Sequence, residues 1–201
     1  MLFRSVALEN PEVMPGARWF TGSRLNFAEN LLRFDDQRPA LIWRGEDGQR
    51  RTCTYAELRA QVARLSDALR QRGVGPGDRV AGFLPNCPEA VIAMLAATSL
   101  GAVWSSCSPD FGVQGVVDRF GQIRPKVLFT ADGYRYNGKA IDSLARIASV
   151  LEQIEDIAHV VVVPFLHARP DTSALPQAVA WDDFLSPSGQ LEFAQLPFDH
   201  P

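Results

Sequence analysis

The stretch TYAELRAQVARLSDALRQRGVGPGDRVAGFLPNCPEAVIAMLAATSLGAVWS, residues 54–105, decides the fold because its hydrophobic period switches repeatedly. Tyr55, Leu58, Val62, Leu65 and Leu69 recur at steps of three and four, which is the spacing of one helix face. Thr54 and Glu57 stand ahead of them as a capping box. In that motif the hydroxyl accepts a backbone N–H three residues on and the glutamate reaches back. Gly73 follows as a C-terminal cap. Arg79–Leu84 then reads as a short apolar strand, Pro88–Leu100 as a helix opened by proline and closed by Gly101, and Ala102–Ser105 as a second strand.

The same rhythm continues on the carboxyl side. Val113–Ile123 reads as helix, Lys126–Thr130 as strand, Lys139–Ile154 as a long helix with Ile141, Leu144, Ile147, Leu151 and Ile154 on one face, and His159–Val163 as strand. Strands alternating with helices of this length require crossover connections, so the expected class is α/β: a mainly parallel sheet flanked by helices. On the amino side, Ala40–Trp43 and Arg51–Thr54 flank GEDGQR and read as a hairpin around an Asp-Gly turn. Residues 1–39, dense in Pro and Gly, read as a coil wrapping a neighbouring surface, with a short helix near Leu25–Leu32. Residues 40–166 form the expected α/β unit. Residues 167–201 are broken by Pro170, Pro176, Pro187, Pro197 and Pro201, and only Val179–Leu185 looks ordered there.

Composition narrows the function. Of 201 residues, 46% are hydrophobic and 21% charged, which excludes a disordered acidic tail or a collagenous repeat. A net charge of -3 and a pI near 5.6 supply no basic field, so nucleic acid is not the expected partner. No apolar run approaches a membrane span, and MLFRSVALENPEV lacks the unbroken apolar stretch of a signal peptide. Cys53, Cys87 and Cys107 make neither a CxxC pair nor an even disulfide framework, which fits a reducing cytoplasm. His159, His167 and His200 stand far apart without metal-ligand spacing, so no metal site is expected.

Ligands of parallel sheets collect where the strands end. Three turns leaving strands therefore matter: LPNCPEA at 84–90, SSCSPDFG at 105–112 and TADGYRYNGKA at 130–140. The GVGPGD run at 73–78 leaves a helix and enters a strand, the reverse of a phosphate loop. The serines of SSCSPDFG are open to two readings, helix capping and ligand contact. Cys107 has no cation or histidine beside it in sequence and reads as an inert buried thiol, and no GxSxG elbow is present. In the third turn Arg135 and Lys139 bracket Tyr134, Tyr136 and Asn137, and Lys139 is one of two lysines in the chain, with Lys126. An ammonium and a guanidinium can hold a phosphate between them while a tyrosine face supports a flat ring. An ordinary solvated loop fits the same residues equally well.

NPEVMPGARWFTGSRLNFAENLL, the run from Tyr55 to Gly112 and KVLFTADGYRYNGKAID together resemble the acyl-CoA synthetases of the adenylate-forming superfamily. GAVWSSCSPDFG with GYRYNGK is similar to the acetoacetate-activating branch. The resemblance implies the first subdomain of the large N-terminal domain of such an enzyme. It implies a ligase that activates a carboxylate with ATP and Mg2+, releases pyrophosphate and passes the acyl group to coenzyme A, here with acetoacetate as the acid. By resemblance, Arg135 and Lys139 meet the 3′-phosphate of coenzyme A, at a spacing one residue longer than in acetate-activating members. Ser108, Asp110, Phe111 and Gly112 border the pantetheine tunnel. The family's Ser/Thr/Gly-rich phosphate loop and its adenylation lysine are absent, so the sequence is expected to be a fragment, inactive alone and binding no cofactor tightly. A stand-alone coenzyme A or nucleotide-binding module, another short-chain acyl-CoA synthetase and an interaction protein remain as alternatives.

Overall fold

The protein is described from a computed structural model covering residues 7–175 and 177–201. Residues 1–6, the start of the expected wrapping coil, and Pro176 lie outside the described residues. Short pairings open the chain: β1 (Leu8–Glu9) lies antiparallel to β2 (Arg18–Trp19), and β3 (Arg24–Leu25) leads into α1 (Phe27–Leu31). Asn26, 4% exposed, caps α1 by accepting the Ala28 and Glu29 N–H groups. Its amide nitrogen donates to the carbonyls of Thr98, Ser99 and Ala194. One buried side chain thus ties the amino-terminal segment to the body of the protein and to its far end.

β4 (Pro39–Arg44) and β5 (Arg50–Thr54) form the expected antiparallel hairpin. Thr54 then caps α2 (Tyr55–Gln71) with both halves of the capping box present. The alternation follows as β6 (Arg79–Phe83), α3 (Pro88–Ser99), β7 (Val103–Cys107), α4 (Val113–Ile123) and β8 (Val127–Ala131). After it come β9 (Gly133–Tyr136), β10 (Lys139–Asp142), α5 (Leu144–Leu151), β11 (His159–Val163), β12 (Ala178–Ala180), α6 (Trp181–Phe184) and β13 (Leu196–Pro197). The central sheet has five strands in the order β12-β11-β8-β6-β7, every pair parallel. It extends beyond residue 166, since β12 adds to the edge of β11.

Period-two alternation separates two cores. Val80, Phe129, Val161 and Val163 face α2, α3 and α6, whereas Ala81, Phe83, Leu128, Val160 and Val162 face α4 and α5. Phe129, fully buried, meets Trp181 and Phe184 edge-on, at centroid distances of 5.8 and 6.0 Å. Each such side chain contributes about 1.5–3 kcal/mol by leaving water.

Two expectations are corrected. The long helix expected over Lys139–Ile154 is strand β10 followed by α5. Asn137 and Gly138 both have positive φ, +50° and +74°, and fold the chain back into an antiparallel β9–β10 hairpin. Both central residues of the favoured two-residue hairpin turn need that conformation. The strand expected over Ala102–Ser105 instead runs over Val103–Cys107. Ser105 and Ser106 therefore belong to the sheet ladder, not to a helix cap.

Candidate functional site

The chain places β7 on one side of β6 and returns to place β8 on the other. Where the order reverses, between β6 and β8, the strand ends diverge and leave a crevice. A cavity of about 460 Å3 lies at this end of the sheet, beyond the ends of β6 and β11, within the range of small-molecule sites. Its walls are the Pro85–Pro88 turn after β6, Phe165 after β11, Trp43 and Asp47 of the β4–β5 hairpin, and Arg135 of β9.

Each wall is held by identifiable contacts. The Trp43 indole Nε1–H donates to the Asn86 carbonyl at 2.7 Å, and the Trp43 and Phe165 rings meet edge-on at 6.1 Å. Arg51, also in the lining, pairs with the largely buried Glu89 at 2.5 Å. Burial opposes the Arg51 charge, yet the Glu89 carboxylate beside it holds its pKa above the usual guanidinium value. Burial pushes the Cys87 thiol up to about 12, so no thiolate faces the cavity at neutral pH. Arg135 places Nε 3.3 Å from Asp47 Oδ2. Its Nη groups have no protein partner among the described residues. The arrangement offers a guanidinium fork to an anion and an aromatic wall to a flat group, and it holds no activated nucleophile.

The six residues expected to meet a ligand separate. Arg135 lines the cavity, as do residues 85–88 of the 84–90 turn, while Lys139, Ser108, Asp110, Phe111 and Gly112 do not. In the β9–β10 register Arg135 stands opposite Ala140, and Lys139 opposite Tyr136. Directly opposed residues share a face, so the Arg135 and Lys139 side chains leave the hairpin from opposite faces. The two tyrosines also part, since Tyr134 is buried and Tyr136 exposed.

The 105–112 turn is a separate, self-bonded structure. Ser108 Oγ donates to Asp110 Oδ2 at 3.0 Å and accepts from the Asp110 N–H at 3.4 Å. The Arg119 guanidinium lies 4.2 Å over the Phe111 ring, and Arg146 donates to the Pro109 and Phe111 carbonyls. Gly112 is the N-cap residue of α4. Cys107 is buried, and burial raises its pKa. Among the described residues no group of three His, Cys, Asp or Glu is placed to hold a metal ion. Among them, too, no helix is long and apolar enough to cross a membrane.

Trp43, Asp47, Asp132 and Phe165 were not legible as site residues. Trp43 and Asp47 sit on a hairpin remote in sequence from the strand ends, and only the tertiary fold carries them over the sheet. Asp132 lies in the 130–140 turn, where the cations Arg135 and Lys139 are the conspicuous charges. The Asn137-Gly138 pair was a usable hairpin signal.

Residues 27–192 match the AMP-binding enzyme family. An acetoacetyl-coenzyme A synthetase of Rhizobium meliloti (strain 1021) is 49% identical over 97% of this chain and 30% of its own length. The acetoacetyl-CoA synthetase of Macaca fascicularis is 47% identical over 91% of this chain and 29% of its own length. The solved structure of an acetoacetyl-CoA synthetase from Streptomyces lividans superposes with a TM-score of 0.89 at 42% identity, over all of this chain and 31% of that one. The chain thus spans about a third of the length of the relatives it matches.

Proposed function

The chain belongs to the AMP-binding enzyme family, and on that premise we propose that it is part of an acetoacetate–CoA ligase. Such an enzyme converts ATP, acetoacetate and coenzyme A to AMP, pyrophosphate and acetoacetyl-CoA through an acyl-adenylate. The observation that carries the substrate is the 47–49% identity to acetoacetyl-CoA synthetases of a bacterium and a primate. Within the reaction these residues serve the second half, the docking of coenzyme A. Arg135 presents its free Nη groups to the 3′-phosphate at the rim of the cavity, and Lys139 meets the same ligand from the other face of its hairpin. Ser108, Asp110, Phe111 and Gly112 border the path of the pantetheine arm. The self-bonded turn and the Arg119–Phe111 stack support a rigid wall there. Mg2+ accompanies ATP. Among the described residues, those before 40 act as the wrapping segment, 40–166 as the α/β body and those after 166 as an irregular Pro-rich segment.

The test is activity in a complete enzyme containing this sequence. Acetoacetate-dependent exchange of pyrophosphate into ATP, followed by thioester formation with coenzyme A, is the expected result. A preference for acetate or propionate over acetoacetate would reject the substrate, and coenzyme A-independent release of AMP as the only reaction would reject the second half.

A further inference from the structure

We propose that Asp132 is a positioning residue that sets the reach of Arg135 toward its ligand, an inference that rests on the coenzyme A reading above. Asp132 directly follows β8 and is 2% exposed, yet both carboxylate oxygens are fully occupied. Oδ1 accepts the N–H groups of Phe165 at 2.7 Å and Leu166 at 2.9 Å. Oδ2 accepts the His167 N–H at 2.8 Å and lies 2.9 Å from its ring Nδ1. Its main chain is committed as well, the N–H donating to the Val163 carbonyl and the carbonyl accepting from Ser143 N–H, just before α5. A buried charge is tolerated only where hydrogen bonds replace its hydration. Here the donors are three successive backbone N–H groups of one turn, so the carboxylate fastens that turn as a unit.

The consequence reaches the cavity from two directions. The fastened turn carries Phe165, which closes the wall against Trp43. The next residue, Gly133, starts β9, and a Cβ there would overlap the Ile141 carbonyl oxygen and the Leu166 side chain. The turn and the hairpin base therefore sit flush, with Arg135 two residues further on. Neither Asp132 nor His167 lines the cavity, and the effect of the cluster on the ligand is transmitted through Arg135.

The experiment is steady-state kinetics of the complete ligase carrying Asp132→Asn, Arg135→Ala or both, each with coenzyme A and with dephospho-coenzyme A. Asp132→Asn should raise KM for coenzyme A about tenfold, the equivalent of about 1.4 kcal/mol. KM for dephospho-coenzyme A and pyrophosphate exchange should stay within about twofold, and in the Arg135→Ala background the substitution should add nothing, as coupled residues require. Equal rises with both thiols, a parallel loss of exchange, or an undiminished effect on top of Arg135→Ala would overturn the proposal. His167→Ala, at a side chain 71% exposed, supplies a variant that spares the fold if Asp132→Asn does not fold. It should raise KM for coenzyme A alone by about threefold, roughly half the tenfold effect on the free-energy scale, and no change would count against the role. If Arg135→Ala itself fails to separate the two thiols, the coenzyme A reading falls and carries this one with it. If Arg135→Ala separates them and neither Asp132→Asn nor His167→Ala does, only the positioning role falls.

Discussion

Arg135 Nε lies 3.3 Å from Asp47 Oδ2, and this pair joins the tip of one hairpin to the strand of another across the mouth of the cavity. The carboxylate pairs with the guanidinium on its Nε side, and the Nη groups make no hydrogen bond among the described residues. Its own charge, however, stands beside the place that anion would take. Two effects compete: orientation of the guanidinium, and repulsion of the ligand. Both side chains are partly exposed, at 37% and 26%, so the orienting ion pair is worth no more than about 1 kcal/mol. A phosphate dianion meets the repulsion with more than one charge. Asp47→Asn keeps a hydrogen-bond acceptor and removes the charge. We expect it to lower KM for coenzyme A about twofold to fivefold, within the same 1 kcal/mol, with the gain shrinking as salt is added. A raised KM would mean that orientation outweighs repulsion.

Acid should weaken the chain at the entrance to the central strand. Asp78 lies 2.8 Å from Lys126 Nζ and accepts the Gly75 N–H at 2.9 Å. Burial works to raise its pKa, but the Lys126 hydrogen bond and the Gly75 N–H outweigh it, and the carboxyl stays below its ordinary 3.8. A lowered folded-state pKa gives stability that is complete above the ordinary value and is lost as pH falls through the folded one. Asp78→Asn should therefore cost about 1 kcal/mol at neutral pH. The gap to the parent should close as pH drops below 3.8. Urea midpoints across that window check it, and a gap independent of pH would show that the carboxylate charge is not the source.

The thiols give a prediction at the other end of the scale. All three are raised, in each case first by burial, and Cys87 most, to about 12. Thiolate is the reactive form. An aromatic disulfide reagent at pH 8 should reach the half-buried Cys53 before the buried Cys87 and Cys107, and Cys87 should be labelled only as the chain unfolds. Because the folded state keeps the Cys87 proton, stability should also fall as pH rises from about 9 toward about 12. Labelling of native Cys87 at the rate of a free thiol would contradict its burial.

Much of the scaffold was legible because local chemistry and tertiary packing agree there. Thr54 and Glu57 cap α2 as their spacing predicts, and Leu58, Val62, Leu65 and Leu69 of the expected face are buried. The parallel alternation through β6, α3, β7, α4 and β8 follows the changes of period. Reading failed where a short apolar stretch was ambiguous. Ile141 fits the helical face of Leu144 and Ile147, and that match concealed the turn at Asn137-Gly138 that sends residues 139–142 into a strand. The site was half legible. Sequence locates Arg135 at a strand end, whereas its separation from Lys139 depends on strand register, and its meeting with Asp47 and Trp43 depends on a hairpin folding over from elsewhere.

The most direct measurement compares coenzyme A with dephospho-coenzyme A in the complete enzyme and its Arg135→Ala variant. Loss of a charge-assisted contact to phosphate removes roughly 1.5–3 kcal/mol. KM for coenzyme A should rise about tenfold to a hundredfold, with pyrophosphate exchange untouched because the adenylation half-reaction does not use the thiol. Dephospho-coenzyme A lacks the 3′-phosphate, so parent and variant should use it about equally well. An equal loss with both thiols, or a matching fall in pyrophosphate exchange, would make Arg135 a structural residue and contradict the assignment of this cavity to coenzyme A.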